Sequence, residues 1–177
     1  MHTQTPDWEN NPAFKQMISA QWYCTQDPQL KALRTTAKRR CYALNNSASD
    51  DKALLSSLLP QVSDVKLGEH FHCDYGFQII CHGFFTAGDF LTILDGATVK
   101  IGQGCKIGNG VVISTVSHHE SPTKRFEGWQ QAFPVVIGDN VTIGNGATIL
   151  PGARISDNQV IPDGTVVSSN RFYQSLG

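Results

Sequence analysis

Two adjacent histidines, His118 and His119 in "STVSHHESP", are residues whose type and spacing suggest chemistry. A neutral imidazole accepts a proton near physiological pH and can also ligate a metal. The bland alternative is a pair of surface loop side chains. His70, His72 and Cys73 are metal-ligating types, and their spacing puts His70 and His72 on one side of a strand. No second cluster follows and the third ligand is unclear, so no metal is expected.

The elements that position these residues must fit in 177 residues, enough for one medium domain with a real core but not for two large ones. A net charge of −1, from 14 basic and 15 acidic residues, gives no general grip on nucleic acid or anionic lipid. A small or neutral partner is expected. Sixteen glycines and only 16% charged residues fit regular β structure with many tight turns better than a helical bundle. The opening "MHTQTPDWENNPAFK" lacks a basic, apolar secretory signal and no later apolar run is long enough to cross a bilayer, so a soluble, cytoplasmic protein is expected. Five scattered cysteines without a C-x-x-C pair read as reduced, mostly buried thiols.

After a polar leader, "TQDPQLKALRTTAKRRCYAL" places Asp27 as a helix N-cap with Pro28 at the first helical position. Leu30, Leu33, Ala37, Cys41 and Leu44 then share one face, opposite Lys31, Lys38 and Arg39. "KALLSSLLP" reads as a second short helix ending at Pro60. The basic run "KRR" reads as a solvated face.

From Ile101 a beat of six begins: Ile101, Ile107, Ile113, then Ile137, Ile143, Ile149, Ile155, Ile161 and Val167. Four places after most of them stands a small residue, as in Cys105, Val111, Ser117, Val141, Ala147, Ala153 and Thr165. Period six fits neither an amphipathic helix nor an alternating strand. It fits a mainly β fold, the hexapeptide β-helix, in which three repeats close one triangular coil around a column of inward β-branched residues. "FQIICHGFFTAGDFLTILDGATV" is less regular and is expected to form early coils in imperfect register. Ile113 and Ile137 keep the phase although the beat lapses between them, so residues 114–134 must leave the solenoid and return. A polar loop thrown out of a rigid solenoid usually serves function, and the paired histidines stand at its root. The expected organisation is a leader over 1–13, a helical segment over 14–60, a β-helix over 61–168 with its loop at 114–134, and a tail over 169–177.

With "WYCTQDPQLKALR", "CDYG", "LTILD", "TVSHHESPTKRFEG" and "FPVVIGDNVTIGNGATILPGARI" in this order, the chain from about Gln21 to Ser169 resembles the maltose and galactoside O-acetyltransferases, a group of hexapeptide-repeat acyltransferases. The resemblance implies a left-handed parallel β-helix with helices packed at its side, exempt from the usual right-handed crossover. It also implies a homotrimer with active sites between neighbouring subunits, acetyl-CoA lying along the β-helix wall, and His118 as catalytic base. Acetyl transfer needs a base for the acceptor hydroxyl and N–H donors for the oxyanion, and requires no covalent enzyme intermediate. None of the cysteines is therefore nominated as a nucleophile. The family position of Asp74 lines the acceptor sugar pocket; turn capping stays open beside it. Asn145, Thr165 and Ser168 fall near the CoA arm.

Several positions depart from the family. His119 stands where proline is frequent. Gly88 replaces an asparagine that helps to place the acceptor, with Asp89 beside it as a possible substitute, and Trp129 replaces a glutamate of the acceptor pocket. Thr142 replaces a tryptophan near the cofactor wall; Asp163 brings a carboxylate there and Ser169 stands for a lysine, with Arg171 as a possible replacement charge. Two readings follow. One is an O-acetyltransferase acting on a hydroxyl of a sugar or similar small acceptor, whether maltose, a galactoside, a lipid-linked sugar or an antibiotic. The other is a trimeric β-helix that has lost activity and serves as a binding or scaffold protein.

Overall fold

The computed structural model describes residues 7–47 and 51–169. The ends of the leader and tail, with Arg171, lie outside the described residues.

The six-residue beat becomes a left-handed parallel β-helix with three faces. The first face stacks Val62–Leu67, the end of the long strand Ile79–Ala87, Cys105–Ile107, Thr142–Ile143 and Val160–Ile161. The second stacks His72–Cys73, Thr92–Leu94, Val112–Ser114, Thr148–Ile149 and Val166–Val167. The third stacks the start of Ile79–Ala87, then Val99–Ile101, Val135–Ile137 and Arg154–Ile155. One strand thus turns a corner without a break, and a register shift between Val62 and Asp64 marks the irregular early coils.

The beat is a packing requirement. Ile101, Ile107, Ile113, Ile137, Ile143, Ile149 and Ile155 are buried in one column, with Cys105, Val111, Val141, Ala147 and Ala153 at the tighter inner positions. Ser117 breaks this pattern: it lies on a strand of the excursion, opposite Gln131, and not in a coil. Side chains also stitch the corners. Between the first and second faces, Asp89 Oδ1 accepts from Glu69 N, Asn109 Oδ1 from Asp89 N, Asn145 Oδ1 from Asn109 N and Asp163 Oδ1 from Asn145 N, at 2.8–2.9 Å.

Helix α1 (Pro12–Ile18) follows a 3-10 turn at Asp7–Asn10, and α2 (Pro28–Asn45) and α3 (Lys52–Leu58) follow it. Asp27 Oδ1 caps α2 by accepting from Gln29 N and Leu30 N at 3.0 Å, as its place before Pro28 predicts. Leu30 enters a side cluster with Phe14, Met17, Tyr23, Tyr75, Ala97 and Ala132, on which Trp8 also packs. Ala37 and Cys41, further along α2, join the main core. Asn45 Oδ1 and Nδ2 pair with Phe71 N and O at 3.0 and 2.9 Å, docking the end of α2 on the first coil. All five cysteines are free thiols; Cys41 and Cys73 lie 3.6 Å apart at Sγ where α2 meets that coil. No described helix is long and apolar enough to cross a membrane.

Removing an inward residue leaves a cavity in a stack that cannot close around it. Ile113→Ala is expected to cost about 2–5 kcal/mol, whereas Val166→Thr, on an outward position that is 58% exposed, should stay within about 0.5 kcal/mol. Urea unfolding midpoints measured side by side check both.

Candidate active site

At the edge between the second and third faces the chain leaves the β-helix after Ser114 and returns at Val135. Phe133 N donates to Thr115 O at 2.7 Å and closes the neck of the excursion. Its strands, Val116–His118 and Trp129–Ala132, form an antiparallel sheet with Tyr23–Cys24, and α4 (Pro122–Phe126) lies between them. The register places Tyr23, Gln130 and His118 in one cross-strand row. His118 is exposed at the end of its strand, with Nδ1 3.4 Å from Gln130 Nε2. His119 turns away: its ring lies 4.3 Å from the Trp22 ring and its Nδ1 accepts from Ser121 N at 3.0 Å, which gives it a loop-fixing part.

Beside this row lies a polar cavity of about 220 Å³ lined by Tyr23, Thr25, Arg34, Asp74, Tyr75 and Gln130. Arg34 donates to the Tyr75 hydroxyl at 2.8 Å and to the Thr25 carbonyl, so its guanidinium is held in the wall. Asp74 is half-buried, and burial raises its pKa while His72 and Arg34 oppose that rise. Cavity and histidine therefore share one edge of the β-helix, and Gln130 belongs to both.

The turn that carries Asp74 has a hidden anchor. Asp95 is fully buried, and its Oδ1 accepts from Asp74 N at 3.0 Å and Tyr75 N at 2.9 Å while Oδ2 accepts from Gly76 N at 2.7 Å. Gly76 has φ +81°, and a Cβ there would stand 2.2 Å from Leu58 O, so both backbone shape and space require glycine. Burial pushes the Asp95 carboxyl up to about 7 despite the three N–H donors. The negative charge of Asp74 acts in the same direction as burial.

The remaining sequence candidates lie elsewhere. Gly88 and Asp89 sit at the corner between the first and second faces, across the second face from Asp74, a separation of about 10 Å for a three-residue strand. Gly88 belongs to the column of corner glycines: a Cβ there would lie 2.0 Å from Asn109 Oδ1. Asn145 occupies the same column, and the Asp163 carboxylate that looks misplaced in the sequence is a corner acceptor for Asn145 N. Thr165 follows in the last coil, its carbonyl accepting from Thr148 N at 2.9 Å, and Ser168 is half-buried just past the final strand. Trp129 points into the excursion, where Nε1 donates to Glu127 Oε2 at 3.1 Å and Lys124 lies 5.2 Å from the ring centre. The residue facing His118 is Gln130, one place later. His70 has φ 62° and stacks on Phe90 at 4.7 Å, whereas the strand begins at His72, so the two histidines do not share a strand side.

Sequence reasoning passed over Arg34, Tyr23, Tyr75 and Gln130. Arg34 is one basic residue among many on α2, and Gln130 acquires meaning only from its register against His118.

Residues 16–63 match the maltose acetyltransferase hexapeptide capping motif, and residues 96–115 and 134–169 match the hexapeptide repeat of succinyl-transferase. Nodulation protein L of Rhizobium leguminosarum bv. viciae is 40% identical over 132 residues, covering 70% of this chain and 68% of its own. A maltose O-acetyltransferase from Clostridium difficile superposes with a TM-score of 0.83 at 31% identity, over 89% of this chain and 87% of its own. The chain belongs to the maltose and galactoside O-acetyltransferase family. A galactoside acetyltransferase solved in complex with coenzyme A gives a TM-score of 0.74 at 27% identity, over 88% of this chain and 80% of its own. In the present acetyltransferase the capping match covers α1 from Gln16 through α3, the segment that brings Tyr23 and Arg34 to the cavity.

Asp95 carries a pH signature. Its pKa, raised from 3.8 to about 7, means that the folded state binds this proton more tightly than the unfolded chain. Its contribution to stability is full at low pH and falls as pH rises from about 4 through about 7. Asp95→Asn removes that slope, so the stability difference between wild type and variant should shrink from pH 5 to pH 8. Denaturant unfolding of both proteins at the two pH values checks the sign.

Proposed function

We propose that the protein is an O-acetyltransferase that moves the acetyl group of acetyl-CoA to a hydroxyl of a sugar or similar small acceptor, with His118 as general base. The observation that carries this reading is the meeting of an exposed imidazole and a polar cavity at the root of the excursion. The imidazole takes the acceptor's hydroxyl proton as the oxygen attacks the thioester carbonyl carbon. The C–S bond then breaks, and the same proton returns from the imidazolium to the departing thiolate, so no residue is consumed. Asp74 and the Arg34-braced Tyr75 supply a carboxylate acceptor and a phenol, groups suited to the hydroxyls of a sugar.

The separation of the site residues supports a trimer. His118, Asp74 and Gln130 lie at one edge of the second face, while Gly88, Asp89, Asn145 and Thr165 lie at the other. A cyclic assembly in which the first edge of one copy faces the second edge of its neighbour unites the acceptor side with a CoA channel along the corner column. Ser168 and its neighbours close the foot of that channel. Because Asp163 Oδ1 is engaged by Asn145 N, its carboxylate is part of the wall and need not point at the ligand's phosphates. The cytoplasm is the fitting compartment, since all five thiols are free.

His118→Ala is expected to lower kcat by about 10²–10⁴-fold while the dissociation constant for CoA, read by calorimetry, and the trimer mass, read by light scattering, stay unchanged. Full activity in His118→Ala would remove the base assignment. If millimolar acetyl-CoA neither binds nor raises the melting temperature, the scaffold reading replaces the enzyme, because a ligand of the native state alone must stabilise it.

A further inference from the structure

Helix α2 meets the first coil along a seam of three side-chain contacts. Arg34 donates to the Tyr75 hydroxyl at 2.8 Å, Cys41 Sγ lies 3.6 Å from Cys73 Sγ, and Asn45 pairs with the Phe71 backbone at 2.9 and 3.0 Å. Cys41 follows Arg34 by two helical turns and precedes Asn45 by one, so the three share one side of α2. Only the middle contact brings together groups that can become covalently bonded. The other three thiols face backbone carbonyls instead, Cys24 that of Glu127 at 3.4 Å, Cys81 that of Gly102 at 3.8 Å and Cys105 that of Gly138 at 3.1 Å. Cys41 and Cys73 are buried, at 3% and 0% exposure. Their shared hydrogen bond lowers the Cys41 thiol below its ordinary value, while the same bond, with burial, raises Cys73 well above it. Cys41 is thus the sulfur that ionises first. Leu44, one turn further along α2, lines a cavity of about 310 Å³ with Leu67, Gly68 and His70, which admits small solutes to this end of the seam.

We propose that Cys41 and Cys73 form a reversible disulfide clamp, closed by hydrogen peroxide, that ties the capping helix to the coil carrying Asp74. The Cys41 thiolate attacks one peroxide oxygen: an S–O bond forms, the O–O bond breaks, and hydroxide leaves and is protonated to water. The Cys73 sulfur then attacks Cys41 Sγ. The S–S bond forms, the S–O bond breaks, and the departing hydroxide takes the Cys73 proton to become a second water. In all, two thiols are oxidised by two electrons and one peroxide is reduced to two waters. Closure brings the two sulfurs nearer by about 1.5 Å, from 3.6 Å to the length of a disulfide bond. Arg34 shares a helix side with Cys41, and Asp74 and Tyr75 follow Cys73 directly, so the movement draws opposite walls of the polar cavity together. Such a bond suits a reducing compartment, where disulfides are transient. Its consequence for the acceptor rests on the transferase reading; the bond itself does not.

The test treats the purified protein with hydrogen peroxide, blocks the remaining thiols and maps the digest by mass spectrometry. The thiol titre in denaturant should fall from five to three, and the Cys41 and Cys73 peptides should emerge joined. The melting temperature should rise and return on adding dithiothreitol, because a cross-link spanning 32 residues restricts the unfolded chain. Cys41→Ser and Cys73→Ser should each show neither the joined peptide nor the shift. With acetyl-CoA and maltose as the probe acceptor, oxidation should raise the KM for maltose severalfold, leave the KM for acetyl-CoA unchanged, and be reversed by dithiothreitol. A different cysteine pairing, a Cys41 that stops at the sulfenic or sulfinic acid, or five surviving thiols overturns the clamp. An unchanged KM for maltose in the disulfide form overturns its effect on the cavity. The peptide map is read without substrates, so a reduced protein that leaves maltose untouched counts against the transferase reading, and the map still decides the clamp.

Discussion

Everything in this molecule depends on one constraint: each coil must lay its backbone and its inward residues on those of the next. The Ile column satisfies the apolar side of that demand, and the corner ladder of Asp and Asn oxygens on backbone N–H groups satisfies the polar side. The excursion obeys the same rule. Asp139 caps the N–H of Gln103 across 36 residues, where one coil ordinarily separates such partners by 18, as between Asp139 and Asp157. The inserted length thus equals another coil's worth, and the stack resumes without a shift of phase.

A stack of this kind offers rigid edges and little concavity, so the site is assembled from parts held against it. The capping segment brings Tyr23 and Arg34, the first coil brings Asp74 and Tyr75, and the excursion brings His118 and Gln130. Asp95 joins two of these layers from below, holding three consecutive N–H groups of the Asp74 turn from the coil beneath. A buried carboxylate is costly when ionised, and here the three donors offset part of that cost. The outcome is a polar cavity with fixed walls beside one exposed imidazole.

The departures from the family look different once the coils are in place. Gly88 reads as a missing side chain in an alignment, yet in the fold it is a corner glycine with Asn109 against it. Asp163 reads as a charge in the wrong place, yet its oxygen caps the coil above. Trp129 reads as the altered acceptor residue, whereas the strand register sets Gln130 opposite His118. In each case the meaning of a residue comes from what lies one coil or one strand away.

The sequence by itself determined the coil architecture and the start of α2 at Asp27 and Pro28. These are repetitive or local properties: each hexapeptide meets the same environment, and a cap bonds within three residues of itself. It also marked His118, because the excursion root stands out along the chain, and Asp74 through the motif that resembles the family's. Only the tertiary structure decided which residues share a site with them. Arg34 and Tyr75 meet across 41 residues and Tyr23 and Gln130 across 107, and pairings at such range follow from how the capping segment and the excursion dock on the stack. No local pattern encodes that docking, since it is set by the shape and register of surfaces that exist only after the coils have formed.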